Sequence, residues 1–334
     1  MKQRWKEEDS MMKAIVATEP GGPEVLVLEE AERPQPGPGQ LLVKIAATGV
    51  NFIETYQRQG IYNVPFPFTP GDEASGTIEE VGEGVEGYGV GDRIATAEGR
   101  RTYAEYMLVD ADKALPVPDS LDLETAAALP LQGMTAHYLI NSTFRVEPGQ
   151  TALVHAGAGG VGLLLIQLLK SKGARVLTTV STDEKAQLAS EAGADHVLKY
   201  SQFSEHIREL TGGAGVDVVY DGVGRDTFDG SLASLRPRGY LVLFGAASGP
   251  VPPVDPQRLN SGGSLFLTRP TLKHHLLNPQ ERLWRSSEVF AAAADGSLSV
   301  RVGATFPLSE AADAHRALEG RATTGKVLLI PSSR

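Results

Sequence analysis

Apolar residues follow two rhythms along this chain. From Met12 to about Gln132 they come in short runs separated by turn chemistry: strands are predicted at Lys13–Thr18, Val25–Glu30 and Leu41–Thr48, with Pro34-Gln-Pro-Gly-Pro-Gly39 before the third. Runs from Gly76, after Gly89-Val-Gly91, over Thr102–Val109 and over Lys113–Pro116 continue the pattern. This segment predicts a small, partly open β-barrel, with one short helix and a turn over Asn51–Tyr62 and a helix at Leu121–Leu129. The second rhythm starts at Thr151, where an apolar run enters four glycines and leaves as a helical pattern that Gly173 stops. Strands at Arg175–Val180, Val197–Tyr200, Val216–Tyr220, Gly239–Phe244 and Ser264–Leu267 then alternate with helices near Asp183–Ala192, Ser204–Thr211 and Asp226–Leu235. Alternation of this kind predicts an α/β, doubly wound, parallel six-stranded sheet. The tail has helices near Gln280–Asp295 and Leu308–Glu319, a strand at Val300–Phe306 and a final apolar Lys326–Pro331, which needs a sheet to join. The expected organisation is a disordered extension over residues 1–11, a discontinuous domain of residues 12–133 and 271–334, and a second domain of residues 134–270.

The glycine cluster gives the second domain its chemistry. Gly157-Ala158-Gly159-Gly160-Val161-Gly162 fits G-x-G-x-x-G between a strand and a helix. Glycines there let a pyrophosphate approach the main chain, and the next helix offers unpaired N–H groups and the positive end of its dipole. The spacing alone is a weak signal; the alternating strands and helices around it make a dinucleotide site the expected reading.

Composition narrows the field. The chain of 334 residues carries a formal net charge of −10, which argues against nucleic acid or an anionic membrane as the main partner. It contains no cysteine, so disulfides, thiolate nucleophiles and cysteine-ligated zinc are all excluded. The opening ten residues lack the apolar region of a secretory signal and no later run approaches a membrane span, so a cytoplasmic protein is expected.

Several stretches together resemble the zinc-independent NADPH:quinone oxidoreductase (zeta-crystallin-like) branch of the medium-chain dehydrogenase/reductase superfamily. They are Gly149–Lys170, Gly49-Val-Asn51-Phe-Ile-Glu-Thr-Tyr56, Pro70-Gly-Asp-Glu-Ala-Ser-Gly76, Thr268-Arg-Pro270 and Arg321-Ala-Thr-Thr-Gly-Lys326. The resemblance implies a GroES-like, mainly β catalytic domain beside a Rossmann domain, an active site in the cleft between them, and a homodimer, here by pairing of the sixth strand. Zinc-dependent relatives carry Gly-His-Glu where this chain has Gly71-Asp72-Glu73, so no catalytic zinc is expected; the adjacent His274 and His275 lack a nearby third ligand.

NAD enzymes usually end the second strand with an acidic residue that accepts from the ribose 2′-hydroxyl. Thr178-Thr-Val-Ser181 stands there instead, and Asp183 and Glu184 fall in a predicted capping box, Ser181–Glu184. This favours NADPH over NADH, with Lys185 and Arg321 as candidate 2′-phosphate partners and Ser181 and Tyr200 added by the resemblance. The resemblance also brings Thr135 and Tyr138 to the cofactor, while Phe244, Gly245 and Ala246 follow the fifth strand, where the nicotinamide half belongs, and Phe266 and Leu267 continue that rim. An amide and two phenols that can donate hydrogen bonds to an electron-poor acceptor, Asn51, Tyr56 and Tyr62, are the candidate catalytic groups. The expected activity is reduction of a quinone by NADPH. The alternatives are an NADPH-dependent reductase of enones or 2-alkenals, and an NADPH-binding sensor or RNA-binding moonlighting protein with little turnover.

Overall fold

The structure is a computed structural model that describes residues 10–331. Two compact units divide the chain: residues up to Leu131 together with those from Asn278 onward, and Gln132–Leu277.

The first unit begins with β1 (Met11–Val16) and β2 (Val27–Glu32), paired antiparallel. Met11, expected in a disordered extension over residues 1–11, is already in β1, and residues 1–9 lie outside the described residues. β3 (Gln40–Val50) is long and buried along most of its length, because it takes neighbours on both edges. Its partners are β4 (Ala74–Val81) and β6 (Tyr106–Asp110), while β5 (Arg93–Thr96) pairs with β4 and β7 (Leu115–Pro116) with β5.

The second unit holds β8 (Thr151–Val154), β9 (Arg175–Val180), β10 (His196–Lys199), β11 (Val216–Asp221), β12 (Leu235–Leu243) and β13 (Phe266–Thr268). Their order is β10-β9-β8-β11-β12-β13, and every pairing is parallel. This is the Rossmann arrangement, and its order reverses between β8 and β11, where open α/β sheets bind ligands beyond the strand C-termini. Helix Phe203–Leu210 buries Phe203 and Ile207, one turn apart, and helix Phe228–Ser234 buries Phe228 and Leu232 in the same way, all in a core with Leu153, Leu177 and Leu241. Several boundaries in this unit differ from the sequence expectation by one or two residues, and one by more. β12 begins at Leu235 rather than Gly239, and β13 is shifted two residues later at its start.

β14 (Val302–Pro307) and β15 (Lys326–Ile330) belong to the first unit. β15 pairs antiparallel with β3, Val327 opposite Val50, so the tail completes a seven-stranded sheet.

Candidate functional site

The glycine turn of the second unit is built from main chain. Helix Gly160–Ser171 starts inside the glycine cluster, and its N-cap, Gly159, offers no side-chain cap, so the first N–H groups of the helix have no intrahelical partner. The glycines do different jobs. A Cβ on Gly157 would lie 2.0 Å from Thr178 Oγ1 and one on Gly162 2.3 Å from the Ala156 carbonyl oxygen, so these two permit close packing of turn, strand and helix. A Cβ on Gly160 would lie 2.0 Å from Gln132 Oε1: this glycine makes room for a side chain, a role its place in the motif does not reveal. Gly159 has nothing nearer than 3.2 Å and leaves the turn open for a ligand to approach its backbone. Ala158 is buried, and Val161 is partly so. A diphosphate therefore fits this turn.

Beneath the turn lies a buried polar chain that sequence reasoning missed. Asp221 accepts from Val223 N, Gly224 N and Thr227 Oγ1, and from Ser231 Oγ at 2.7 Å. Since the Ser231 proton goes to a carboxylate, Ser231 Oγ must accept from His155 Nε2 at 2.9 Å, and His155 Nδ1 then accepts from Thr179 Oγ1 at 2.7 Å. Burial keeps this imidazole neutral, pushing its pKa down to about 4 against the opposing pull of Asp221. Tyr200 stacks on His155 and its hydroxyl accepts from Ala156 N at 3.2 Å, which puts this predicted residue on the turn itself.

Other predicted cofactor residues are placed less uniformly. Ser181 is exposed, but it is not the helix cap: Thr182 is, its hydroxyl accepting from Lys185 N at 3.2 Å, which corrects the expected capping box and puts Lys185, not Glu184, at the third helical position. Thr135 and Tyr138 are buried on helix Pro130–Tyr138, and Tyr138 stacks on His275 with centroids 4.1 Å apart. Phe244 and Gly245 donate to the Asp221 carbonyl, and Ala246 follows them in a loop folded against Gly222–Gly224 beyond β11 and β12. Phe266 stacks on Tyr240 yet stays about half exposed, and Leu267 packs on the core. Arg321 lies in the first unit, with a left-handed φ of 54°.

In the first unit, three adjacent strands gather charge. Asn51 follows β3 and caps helix Phe52–Arg58; Glu73 precedes β4 and Lys326 opens β15. The Lys326 ammonium donates to Asn51 Oδ1 at 2.7 Å and to Glu73 Oε2, and Asn51 Nδ2 donates to Glu73 Oε2 at 2.9 Å. Leu131 N fills Glu73 Oε1 at 2.7 Å. Glu54 takes the Asn51 N–H on Oε2, while its Oε1 has no partner; burial, helped by the charge of Asp72, pushes its pKa up to about 8. Asn51 is therefore less open than a free amide donor: its oxygen and one N–H are already engaged. Tyr56 and Tyr62 pack edge to face, centroids 5.6 Å apart, and Tyr62 remains 43% exposed. Buried Arg58 anchors the far end of the helix that carries Tyr56, donating to Glu319, Gly21 and His315 Nδ1.

A zinc ion does not fit these residues. Glu73 is taken up by Lys326 and Asn51, and among the described residues no group of three or more His, Cys, Asp or Glu is placed to hold a metal.

Comparison with known proteins agrees with this geometry. Residues 37–119 match the alcohol dehydrogenase GroES-like domain and residues 160–290 the zinc-binding dehydrogenase family. The chain is 43% identical to 2-haloacrylate reductase from Burkholderia sp over 97% of its own length and 100% of that protein. A mycobacterial protein solved in complex with NADPH superposes with a TM-score of 0.94 at 52% identity, covering 96% of this chain and 100% of that one. Escherichia coli quinone oxidoreductase complexed with NADPH gives a TM-score of 0.93 at 42% identity, with the same coverage. Similarity of this extent, over both units, means that the chain belongs to the quinone oxidoreductase branch of the medium-chain dehydrogenase/reductase superfamily.

Proposed function

We propose that this protein is a cytoplasmic, homodimeric NADPH:quinone oxidoreductase that works without a metal, with residues 134–270 as the NADPH-binding domain and residues 12–133 and 271–334 as the catalytic domain. The carrying observation is the uncapped helix N-terminus behind Gly159, paired with NADPH complexes of relatives 52% and 42% identical to this chain. When bound, NADPH supplies the hydride. The N–H groups of Gly160, Val161 and Gly162 hold the diphosphate. Ser181, Lys185, Tyr200 and Arg321 take the 2′-phosphate, and Thr135, Tyr138, Phe244, Gly245, Ala246, Phe266 and Leu267 line the nicotinamide half. Tyr56 and Tyr62 offer ring faces to a flat acceptor and hydroxyls to its oxygen, where negative charge develops.

β13 is an edge strand of its sheet and supports the dimer by pairing with its copy in a second chain. Sedimentation of a variant with proline at Leu267 tests this.

A second reading, reduction of an activated C=C bond, is favoured by the 43% identity to 2-haloacrylate reductase. Steady-state rates with NADPH and 1,4-benzoquinone, 9,10-phenanthrenequinone and 2-alkenals separate the two. Good turnover of alkenals with poor turnover of every quinone would overturn the first.

A further inference from the structure

Lys326, Glu73 and Asn51 come from positions 253 and 275 residues apart, yet they form one buried cluster in the first unit. Lys326 and Glu73 are 1% and 0% exposed. Burying an ion pair is weak evidence for stability, because desolvation offsets much of the attraction; apolar side chains of the same size often do as well. The position has also been cleared for it. A Cβ at Gly49 would lie 2.2 Å from Glu73 Oε2 and 2.8 Å from Lys326 Nζ, so glycine on β3 is what admits the pair.

The pair dictates how Asn51 lies. An ammonium only donates and a carboxylate only accepts, so the carboxamide oxygen must face Lys326 and its nitrogen must face Glu73. One amide N–H is then left over. The main chain of Asn51 is tied as well, its N–H donating to Glu54 at the first turn of the helix that carries Tyr56. We propose that Lys326 and Glu73 are positioning residues for acceptor reduction: their ion pair locks the Asn51 carboxamide in the one orientation that presents its remaining N–H to the acceptor oxygen. The inference rests on the reading of Asn51, Tyr56 and Tyr62 as the acceptor site.

The test uses full-length wild type, Asn51→Ala, Lys326→Met, the double variant Lys326→Met/Glu73→Gln, and Gly49→Ala. For each, the melting temperature, the Kd for NADPH by fluorescence, and kcat and KM with 1,4-benzoquinone are measured. Lys326→Met alone strands a buried carboxylate and should lose stability; the double variant removes both charges and should recover it. If the pair positions Asn51, the double variant keeps its melting temperature and NADPH affinity while kcat stays low, on the order of 10- to 100-fold below wild type. Gly49→Ala retains all three side chains but pushes the pair aside, and should lower kcat in the same direction even if the charge variants fail to fold. Recovery of kcat together with melting temperature in the double variant overturns the proposal, as does wild-type kcat in Asn51→Ala or Gly49→Ala. Absence of quinone turnover by wild type is a different result, and would sink the functional reading itself.

Discussion

The glycine turn of the second unit and the charged cluster of the first are built on opposite principles. The turn is built of main chain: side chains are missing at Gly157 and Gly162 so that it can pack and at Gly159 so that it stays open, and the buried polar groups behind it are held neutral or saturated, as with His155 and Asp221. The cluster works with side chains in full charge, excluded from water and fixed by one another. A backbone site tolerates changes around it as long as nothing fills the space. A site of matched charges suffers most from the loss of one partner, which strands the other in the interior.

The largest test of that contrast is in the turn. Gly162→Ala drives a methyl to 2.3 Å from a carbonyl oxygen that cannot swing away, and should cost about 1–3 kcal/mol in urea unfolding along with NADPH affinity. Gly159→Ala, 3.2 Å from its nearest neighbour, should leave stability almost unchanged and weaken NADPH binding alone; equal effects at the two positions would erase the division of labour among the glycines. Next in size, Lys185→Ala should raise the Kd for NADPH about tenfold while sparing NADH, the loss of one charge-assisted hydrogen bond, read by fluorescence titration. Tyr62→Phe should lower kcat/KM for benzoquinone by a few fold, about 0.5–1.5 kcal/mol, with no change in nucleotide affinity.

A last effect, read as a dependence on pH rather than as a loss of function, concerns Glu54. Its raised pKa means that between pH 4.5 and about 8 the native protein holds a proton that the unfolded chain releases, so this group's contribution to stability falls as pH rises through that window. The melting temperature of wild type relative to Glu54→Gln should therefore be most favourable at the acid end and shrink toward the alkaline end. A pH-independent difference would mean that the carboxyl is ionised in place.

The turn was legible in the sequence because it is local: glycine spacing, the apolar strand before it and the helix after it all lie within twenty-odd residues, and each strand–helix step that follows is local in the same way. The limits of legibility have physical causes. Ser181 and Thr182 are both good caps, and only the extended backbone of Thr182 decides between them. Gly160 looks like its neighbours until Gln132 is seen against it. Glu73 and Lys326 fall in stretches that carry the family resemblance, but no local pattern announces that they pair across 253 residues. His155 stands at the end of an apolar strand with nothing local to mark it, because its partners Thr179 and Ser231, and Asp221 behind Ser231, come from three other segments.

Lys326 has a consequence for synthesis. A ribosome makes Asn51 and Glu73 early and the whole six-stranded unit before β15 emerges, and domains tend to fold as they appear. A nascent chain could thus hold a finished nucleotide fold while β3 still lacks the neighbour that β15 provides and Glu73 still lacks its counter-ion. β15 is both the strand that closes this sheet against β3 and the carrier of the counter-ion for Glu73, so the two are completed in one step of synthesis.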